Sequence, residues 1–392
     1  MSGLYIHIPF CEHKCIYCNF YSIENLDTKN RFLNALHTEI DLRYESLIGN
    51  EFAPKKYDTI FFGGGTPSLL TPLEIGKIIY HLKEKFLVDE LAEITIECNP
   101  GTLNESYLNG YKDAGINRLS FGVQSFDDEE LKFLTRIHSA QQARDAITSA
   151  KKVFDNISLD LIFALPNQSL KKWKENLEEG VTLGTKHISA YSLIFEEGTP
   201  LNAMKLNKSV FPLDEDTDAD MYSCTMETLN KYGFEQYEVS NYSKPGYHSK
   251  HNLKYWLRES YISFGPSAHS FLRGNNSGGK RWANYSNQTI YLNELEEQYR
   301  LPVASNELLS SQNIFEEFVM LSLRSVGINL KEFYSLTNSE LKDIAPDSLN
   351  FVLNSNYATL TDSYLKLTPL GYHFADKLAF KLISEIESVT HL

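Results

Sequence analysis

The sequence predicts an α/β chain in which six strand–helix units build a barrel or partial barrel, followed by a mostly helical C-terminal region. Short apolar, β-rich runs recur through the first 200 residues, each followed by a longer amphipathic stretch. Strands that alternate with helices imply parallel pairing through crossovers, and six such units fit a barrel better than a doubly wound sheet. Polar and glycine residues gather at the C-terminal ends of these runs, where barrels of this kind place their sites. Past about residue 200 the alternation fades.

The strands are expected at 4–9, 59–63, 93–98, 118–123, 158–165 and 187–193. Between the first two, Phe32, Leu33, Leu36, Ile40 and Leu47 fall largely on one face of a helix over 31–47. Another helix should start near Asp127 and Asp128, whose carboxylates suit its first turn. Further on, LDEDTDADMYSCTMETLNKYGF reads as a helix and FEQYEVSNYS (234–243) as one more strand. A loop rich in Gly, Ser and Asn runs through 274–280. The chain is then mostly helical from about 300. Near its end a strand-like LKL precedes a helix that Thr368 can cap, with Pro369 at its first position. These readings divide the chain into a barrel at 1–205, a connecting region at 206–299 and a helical domain at 300–392.

With 392 residues, 42% of them hydrophobic, the chain can bury a large core. No apolar run approaches the roughly 20 residues that span a bilayer, which argues against an integral membrane protein and leaves peripheral membrane contact open. The opening MSGLYIHIPF lacks a basic n-region and a small-residue cleavage site, so the cytoplasm is the expected address. A formal charge of −14 argues against nucleic-acid binding, which needs clustered Lys and Arg.

Three of the five cysteines lie within eight residues, in HIPFCEHKCIYCNF (7–20). Cys11, Cys15 and Cys18 form C-x3-C-x2-C on one loop after the first strand. A [4Fe–4S] cubane normally takes four Cys ligands, so three leave one iron open to another molecule. Structural zinc sites complete a tetrahedron with a second Cys or His pair, and no such pair accompanies this loop. Cys98 and Cys224 read as small buried hydrophobes.

With Tyr17 just before the last cysteine, this motif is identified as the radical S-adenosylmethionine (SAM) signature. The resemblance implies a (β/α)6 partial TIM barrel, in agreement with the strand count. It also implies that the open iron chelates SAM, which an electron from the cluster cleaves to methionine and a 5′-deoxyadenosyl radical.

From HIPFC to the C-terminal helices the chain is similar to the coproporphyrinogen dehydrogenase and haem chaperone (HemN/HemW) branch. That resemblance places Tyr5, Tyr17, Gly64, Gly65, Thr66, Glu97, Gln124, Arg136, Asp160 and Ala190 around SAM. The chemistry agrees: Arg136 can pair with a carboxylate, and Glu97 and Asp160 can accept from an amine or ribose hydroxyls. Two functions compete within the branch. A dehydrogenase oxidatively decarboxylates two propionates of coproporphyrinogen III, whereas a chaperone binds haem and hands it to an acceptor protein.

The dehydrogenases carry a fourth cysteine in C-x3-C-x2-C-x-C, where this chain has Phe20, and a long extension ahead of the cluster, where it has ten residues before Cys11. HNLKYW (251–256) matches the H-N-x-x-Y-W motif of the chaperones. The expectation is therefore a haem chaperone with His251 as an axial ligand, His248 as a nearby substitute, and Tyr255 and Trp256 packed on the macrocycle. His7 is expected to orient the cluster loop or point into the barrel. The partners implied are haem, an unidentified acceptor protein and an unidentified electron donor. The C-terminal LKLTPLGYHFADKLAFKL resembles the end of a winged helix, read here as a packing or protein-contact module.

Overall fold

The computed structural model describes residues 1–274 and 278–389, so 275–277 of the expected Gly/Ser/Asn loop lie outside the described residues. The six expected strands are β1 (Ser2–Ile8), β2 (Tyr57–Gly64), β3 (Val88–Cys98), β4 (Arg118–Gln124), β5 (Ile157–Phe163) and β6 (His187–Ser192). They pair in parallel in chain order. Between them run α1 (Lys29–Leu47), α2 (Pro72–Lys85), α3 (Glu105–Asp113), α4 (Asp128–Phe133), α5 (Ala140–Ala150) and α6 (Leu170–Thr182). The caps explain the helix starts. Thr71 and Glu74 form a capping box on α2 with Pro72 at its first position, and Asp127 accepts from the backbone N–H groups of Glu129 and Glu130.

Side-chain alternation along these strands builds two different layers. Leu4, Ile6, Ile8, Ile60, Phe62, Ile94, Ile96, Leu119, Phe121, Leu159, Leu161 and Ile188 join one apolar core with buried helix side chains such as Leu36, Ile78 and Leu177. The alternate positions, among them Tyr5, His7, Thr59, Glu97, Arg118, Asp160 and His187, are mostly polar. The barrel is thus oily outside its strands and polar within.

Residues 206–299 extend the same sheet. After α7 (Pro200–Leu206) and α8 (Glu215–Lys231), the expected strand at 234–243 is instead a hairpin of β7 (Glu235–Gln236) and β8 (Asn241–Ser243), laid antiparallel on β6. The buried Glu238 carboxylate accepts from Ser240 N–H at 3.1 Å and fixes the turn that splits the strand. Next come α9 (Lys250–Trp256), β9 (Tyr261–Phe264), β10 (His269–Arg273), β11 (Gly279–Asn284) and α10 (Gln288–Glu296). β9 pairs in parallel with β1 on its free side. Then β10, β11 and β12 (Val303–Leu309), a strand inside the segment expected to be helical, add antiparallel. Among the described residues the sheet has twelve strands and is open between β12 and β7, a partial barrel.

A second core is formed by Phe315, Phe318, Val319, Phe333, Leu349, Leu365, Leu382 and Ile386. It belongs to α11 (Ser311–Leu323), β13 (Ile328–Asn329), α12 (Leu330–Thr337), α13 (Leu341–Ile344), α14 (Pro346–Asn354), β14 (Ala358–Leu360), β15 (Tyr364–Leu367), α15 (Pro369–Tyr372) and α16 (Ala375–Val389). The small sheet has the order β13-β15-β14. Thr368 caps α15 as expected, but the helix ends after one turn at Tyr372, and α16 starts afresh; a Cβ on Gly371 would collide with the Tyr357 carbonyl. No helix of the described residues is long and apolar enough to cross a membrane.

Candidate metal centre and cofactor site

The cysteine loop leaves β1 at its C-terminal end and is closed at its base by two backbone bonds. Cys11 N–H donates to Ile23 O at 2.9 Å and Ile23 N–H to Pro9 O at 2.7 Å. Phe10 anchors the entry by packing edge-on against Phe32. The turn after β2 lies directly against this loop: Gly65 N–H donates to Ile8 O and Thr66 N–H to Phe10 O. That approach requires glycine, because a Cβ on Gly65 would stand 2.6 Å from Phe10 O and 3.0 Å from Cys11 Sγ. Gly64 has φ +111°, with the His7 ring where a Cβ would go.

Cys11, Cys15 and Cys18 line a small cavity of about 60 Å³ with Thr66, Asn99 and Arg136. All three are free thiols. Thr66 Oγ1 donates to Cys11 Sγ and the Arg136 guanidinium to Cys15 Sγ, both at 3.6 Å. A hydroxyl and a cation aimed at sulfur suit thiolates, so the donor set fits a thiolate-held cluster. Burial and the neighbouring Cys11 and Cys15 raise the Cys18 thiol above its usual range, so binding a metal here displaces protons.

Beside the thiols opens a cavity of about 510 Å³. Tyr17, Gly64, Gly65, Thr66, Glu97, Gln124, Arg136 and Asp160 all line it. Arg136 is held by Gly122 O at 2.7 Å and Asn99 Oδ1 at 3.4 Å, while its buried Nε has no partner. An orphaned buried donor beside three thiols fits the carboxylate of an amino-acid ligand. Glu97 Oε2 accepts from Gly64 N–H at 3.2 Å. Burial and the Asp160 carboxylate push Glu97 up to about 8, and burial pushes Asp160 up to about 6 against hydrogen bonds from Ser189 and Ser120 and the charge of Arg118. At Gln124 the pairing of β4 with β5 shifts register and φ is +70°, a strained turn that sets the side chain on the cavity wall.

Two residues expected around SAM do not line this cavity. The Ala190 methyl faces the apolar core outside the sheet, and its N–H donates to Ser240 O. Tyr5 lies deeper in the barrel between Phe61 and His251, its hydroxyl donating to His7 Nδ1 at 3.2 Å. His7 both points inward and holds the loop, since its Nε2 donates to Tyr21 O at 2.8 Å.

HNLKYW sits at the opposite end of the barrel from the cysteines. It forms α9, whose first N–H groups, on Lys250 and His251, donate to the Glu93 carboxylate of β3 at 3.1 Å each. His251 is 1% exposed, stacks on Phe61, and uses both ring nitrogens, Nδ1 with Thr59 Oγ1 at 2.7 Å and Nε2 with Tyr255 OH at 3.0 Å. Trp256 is half-buried on the same helix, and His248 stacks on Tyr237. Ligation of iron by His251 therefore requires one of its two hydrogen bonds to break.

The sequence reading missed Arg118 and His138, and it took Asn99 only as part of the C-terminal end of the third strand. Arg118 is a buried cation at the start of β4, and its charge reaches both Glu97 and Asp160. His138 bridges the Val123 carbonyl and the Asn99 side chain at 3.1 Å each, which steadies a partner of Arg136.

Comparison with known proteins agrees with this geometry. The Radical SAM superfamily matches residues 5–179, and the HemN C-terminal domain matches residues 309–374. The Heme chaperone HemW of Bacillus subtilis (strain 168) is 33% identical over 98% of this chain and 100% of its own length. Radical S-adenosyl methionine domain-containing protein 1, mitochondrial, of Danio rerio is 32% identical over 100% of this chain and 88% of its own. Among solved structures, the coproporphyrinogen III oxidase HemN of Escherichia coli superposes with a TM-score of 0.80 at 19% identity, covering 97% of this chain and 89% of that one.

Proposed function

Because the chain belongs to the radical SAM superfamily, in the branch of the HemW haem chaperones and the HemN oxidases, we propose that it is a haem chaperone that binds haem and transfers it to an acceptor protein. The observation that carries this reading is similarity along the whole chain to proteins named Heme chaperone HemW, in Bacillus subtilis and in Lactococcus lactis, each at 33% identity. Phe20 supports it. The residue stands where the dehydrogenases have a fourth cysteine, is 69% exposed and lines the cofactor cavity.

In this reading Cys11, Cys15 and Cys18 hold a [4Fe–4S] cluster, and the adjoining cavity takes SAM. A reduced cluster there supplies the electron for one-electron cleavage of SAM. Arg136, whose side chain lines that cavity, pairs with the carboxylate of the methionine moiety. Glu97, largely protonated at neutral pH, donates one hydrogen bond and accepts others from amine or hydroxyl groups. Gly64 and Gly65 bring backbone close to the ligand, and Gln124 closes the wall beside it. We place the protein in the cytoplasm, where a reducing environment keeps the five cysteines as thiols.

The deciding experiment incubates reconstituted, reduced protein anaerobically with SAM and coproporphyrinogen III, beside a HemN oxidase as positive control. A parallel sample is titrated with ferric haem. The chaperone gives a saturable haem spectrum and no divinyl product. Formation of the divinyl product at a rate comparable to the control would make it a dehydrogenase.

A further inference from the structure

A cavity of about 330 Å³ opens at the seam between the barrel and the second core, and shares no lining residue with the cofactor cavity. The barrel side supplies Arg258, which follows α9, and Arg273 at the end of β10. The other wall carries Ile314 of α11, with Asn329, Lys331 and Glu332 at the start of α12.

Arg258 occupies a position that arginine does not favour. The end of α9 is closed by Arg258 N–H donating to Tyr255 O at 3.2 Å and Glu259 N–H to Lys254 O at 2.9 Å, which leaves Arg258 in the left-handed region at φ +52°. Glycine, or sometimes asparagine, is the residue that ends a helix this way. The residue is only 5% exposed, and its buried Nε and Nη1 have no partner.

Its charge lacks a partner as well. Arg273 and Arg281 act on it together with Glu317 and Glu332, but these four are engaged with one another. Arg273 binds Glu332 at 2.6 Å, and Arg281 binds Glu317 and Glu307. Burial, then the charge of Arg273, holds the Arg258 guanidinium below the usual arginine range. Across the cavity Lys331 is exposed and has no ion-pair partner among the described residues. Two unpaired cations therefore face one space from its two walls. Bare donors on a buried guanidinium call for acceptors, and the planar fork matches the oxygens of a phosphate or carboxylate group. The first turn of α12, capped by Asn329, adds the positive end of a helix.

We propose that this seam binds a small molecule carrying a compact double negative charge, as a phosphate group or as paired carboxylates, held by Arg258 from the barrel and Lys331 from α12. A ligand held in this way ties α12 to the turn that ends α9, two residues beyond HNLKYW. The site goes beyond the chaperone reading and does not depend on it.

The test titrates inorganic phosphate and, separately, succinate into the full-length, cluster-loaded protein with SAM present. Chloride holds the ionic strength constant, and calorimetry and melting temperature are read. Wild type should bind at least one of the two anions saturably and melt higher with it. A response to phosphate marks a phosphate-bearing ligand, and a response to succinate a dicarboxylate. Lys331→Ala, at an exposed position, should weaken binding about tenfold, the scale of one charged hydrogen bond. Arg258→Gln should abolish the response. Without anion it should melt no lower than wild type, because it removes a buried cation that has no partner. A wild type that responds to neither anion, or variants that both keep wild-type affinity, overturn the site. Arg258→Gln melting below wild type without anion, with Lys331→Ala binding normally, overturns it too, since water would then already satisfy the guanidinium.

Discussion

The guanidinium of Arg136 reaches Cys15 Sγ at 3.6 Å and Gly122 O at 2.7 Å, so one side chain ties the cysteine loop to the C-terminal end of β4. The same side chain lines the cavity beside the thiols, and its buried Nε has no partner. Arg136→Lys keeps the charge but loses the planar set of donors. Charged hydrogen bonds contribute about 1.5–3 kcal/mol each, so SAM affinity should fall about tenfold or more while iron content stays near wild type. Equilibrium dialysis with labelled SAM on reconstituted protein measures this, and unchanged affinity removes Arg136 from the SAM site.

Each of Cys11→Ala, Cys15→Ala and Cys18→Ala should abolish the cluster, whereas Cys98→Ala should not. Cys98 is buried with its thiol donating to Ile96 O, on the apolar side of the sheet. Iron and sulfide content with visible absorption after reconstitution reads the difference. A full [4Fe–4S] spectrum in any of the first three variants sinks the assignment.

Gly65→Ala places a methyl 2.6 Å from Phe10 O and 3.0 Å from Cys11 Sγ, against backbone that cannot swing away. Overpacking of this kind costs about 1–3 kcal/mol. The variant should melt at lower temperature and load less iron per chain than wild type. Normal iron loading would mean that the two loops separate easily.

Glu97 and Asp160 have folded-state values of about 8 and about 6, both above the ordinary 4.5 and 3.8. The folded protein therefore binds more protons than the unfolded chain between those limits. The stability tied to these groups is fully present at low pH and is lost as pH rises through about 6 and then about 8. The melting temperature of SAM-free protein should accordingly decline from about pH 5 to about pH 9, and Glu97→Gln should flatten the upper part of that decline. A Glu97→Gln profile that matches wild type would show that Glu97 ionises normally.

Glu39 of α1 is fully buried and accepts from Gly265 N–H, Asn284 Nδ2 and Tyr291 OH, each at 2.7 Å, beside Arg43 at 3.5 Å. Glu39→Ala leaves Arg43 buried without its carboxylate and should destabilise by about 3–5 kcal/mol. Denaturant unfolding of the cluster-free protein measures it. A loss below about 1 kcal/mol, the scale of surface pairs, would mean that water replaces the carboxylate.

Much of this was legible in the sequence because two signals were local. Three cysteines in eight residues mark a candidate cluster loop by themselves, and apolar runs separated by amphipathic stretches mark parallel strands. What escaped was the side of the sheet each residue faces. Arg118, Ser120, Gly122 and Gln124 form one alternating row, as do His187, Ser189 and Tyr191. Read as a row, β6 puts Ala190 with Ile188 on the apolar side, away from the cavity, and β4 puts Arg118 inside. The placement of HNLKYW had no comparable cue, since the Glu93 carboxylate that seats α9 is 157 positions away from Lys250. Nor did the sequence show that β9 would lie beside β1.

That neighbour relation orders events on the ribosome. Strand β1 and the cysteine loop are made long before β9, yet one long side of β1 stays bare until Tyr261–Phe264 has emerged to cover it. Non-local parallel pairing of this kind forms late and leaves an uncovered edge while it is pending. Nascent chains cut short before β9 should thus be poor recipients of iron and prone to stick to one another, and cofactor loading belongs after synthesis of the barrel is complete.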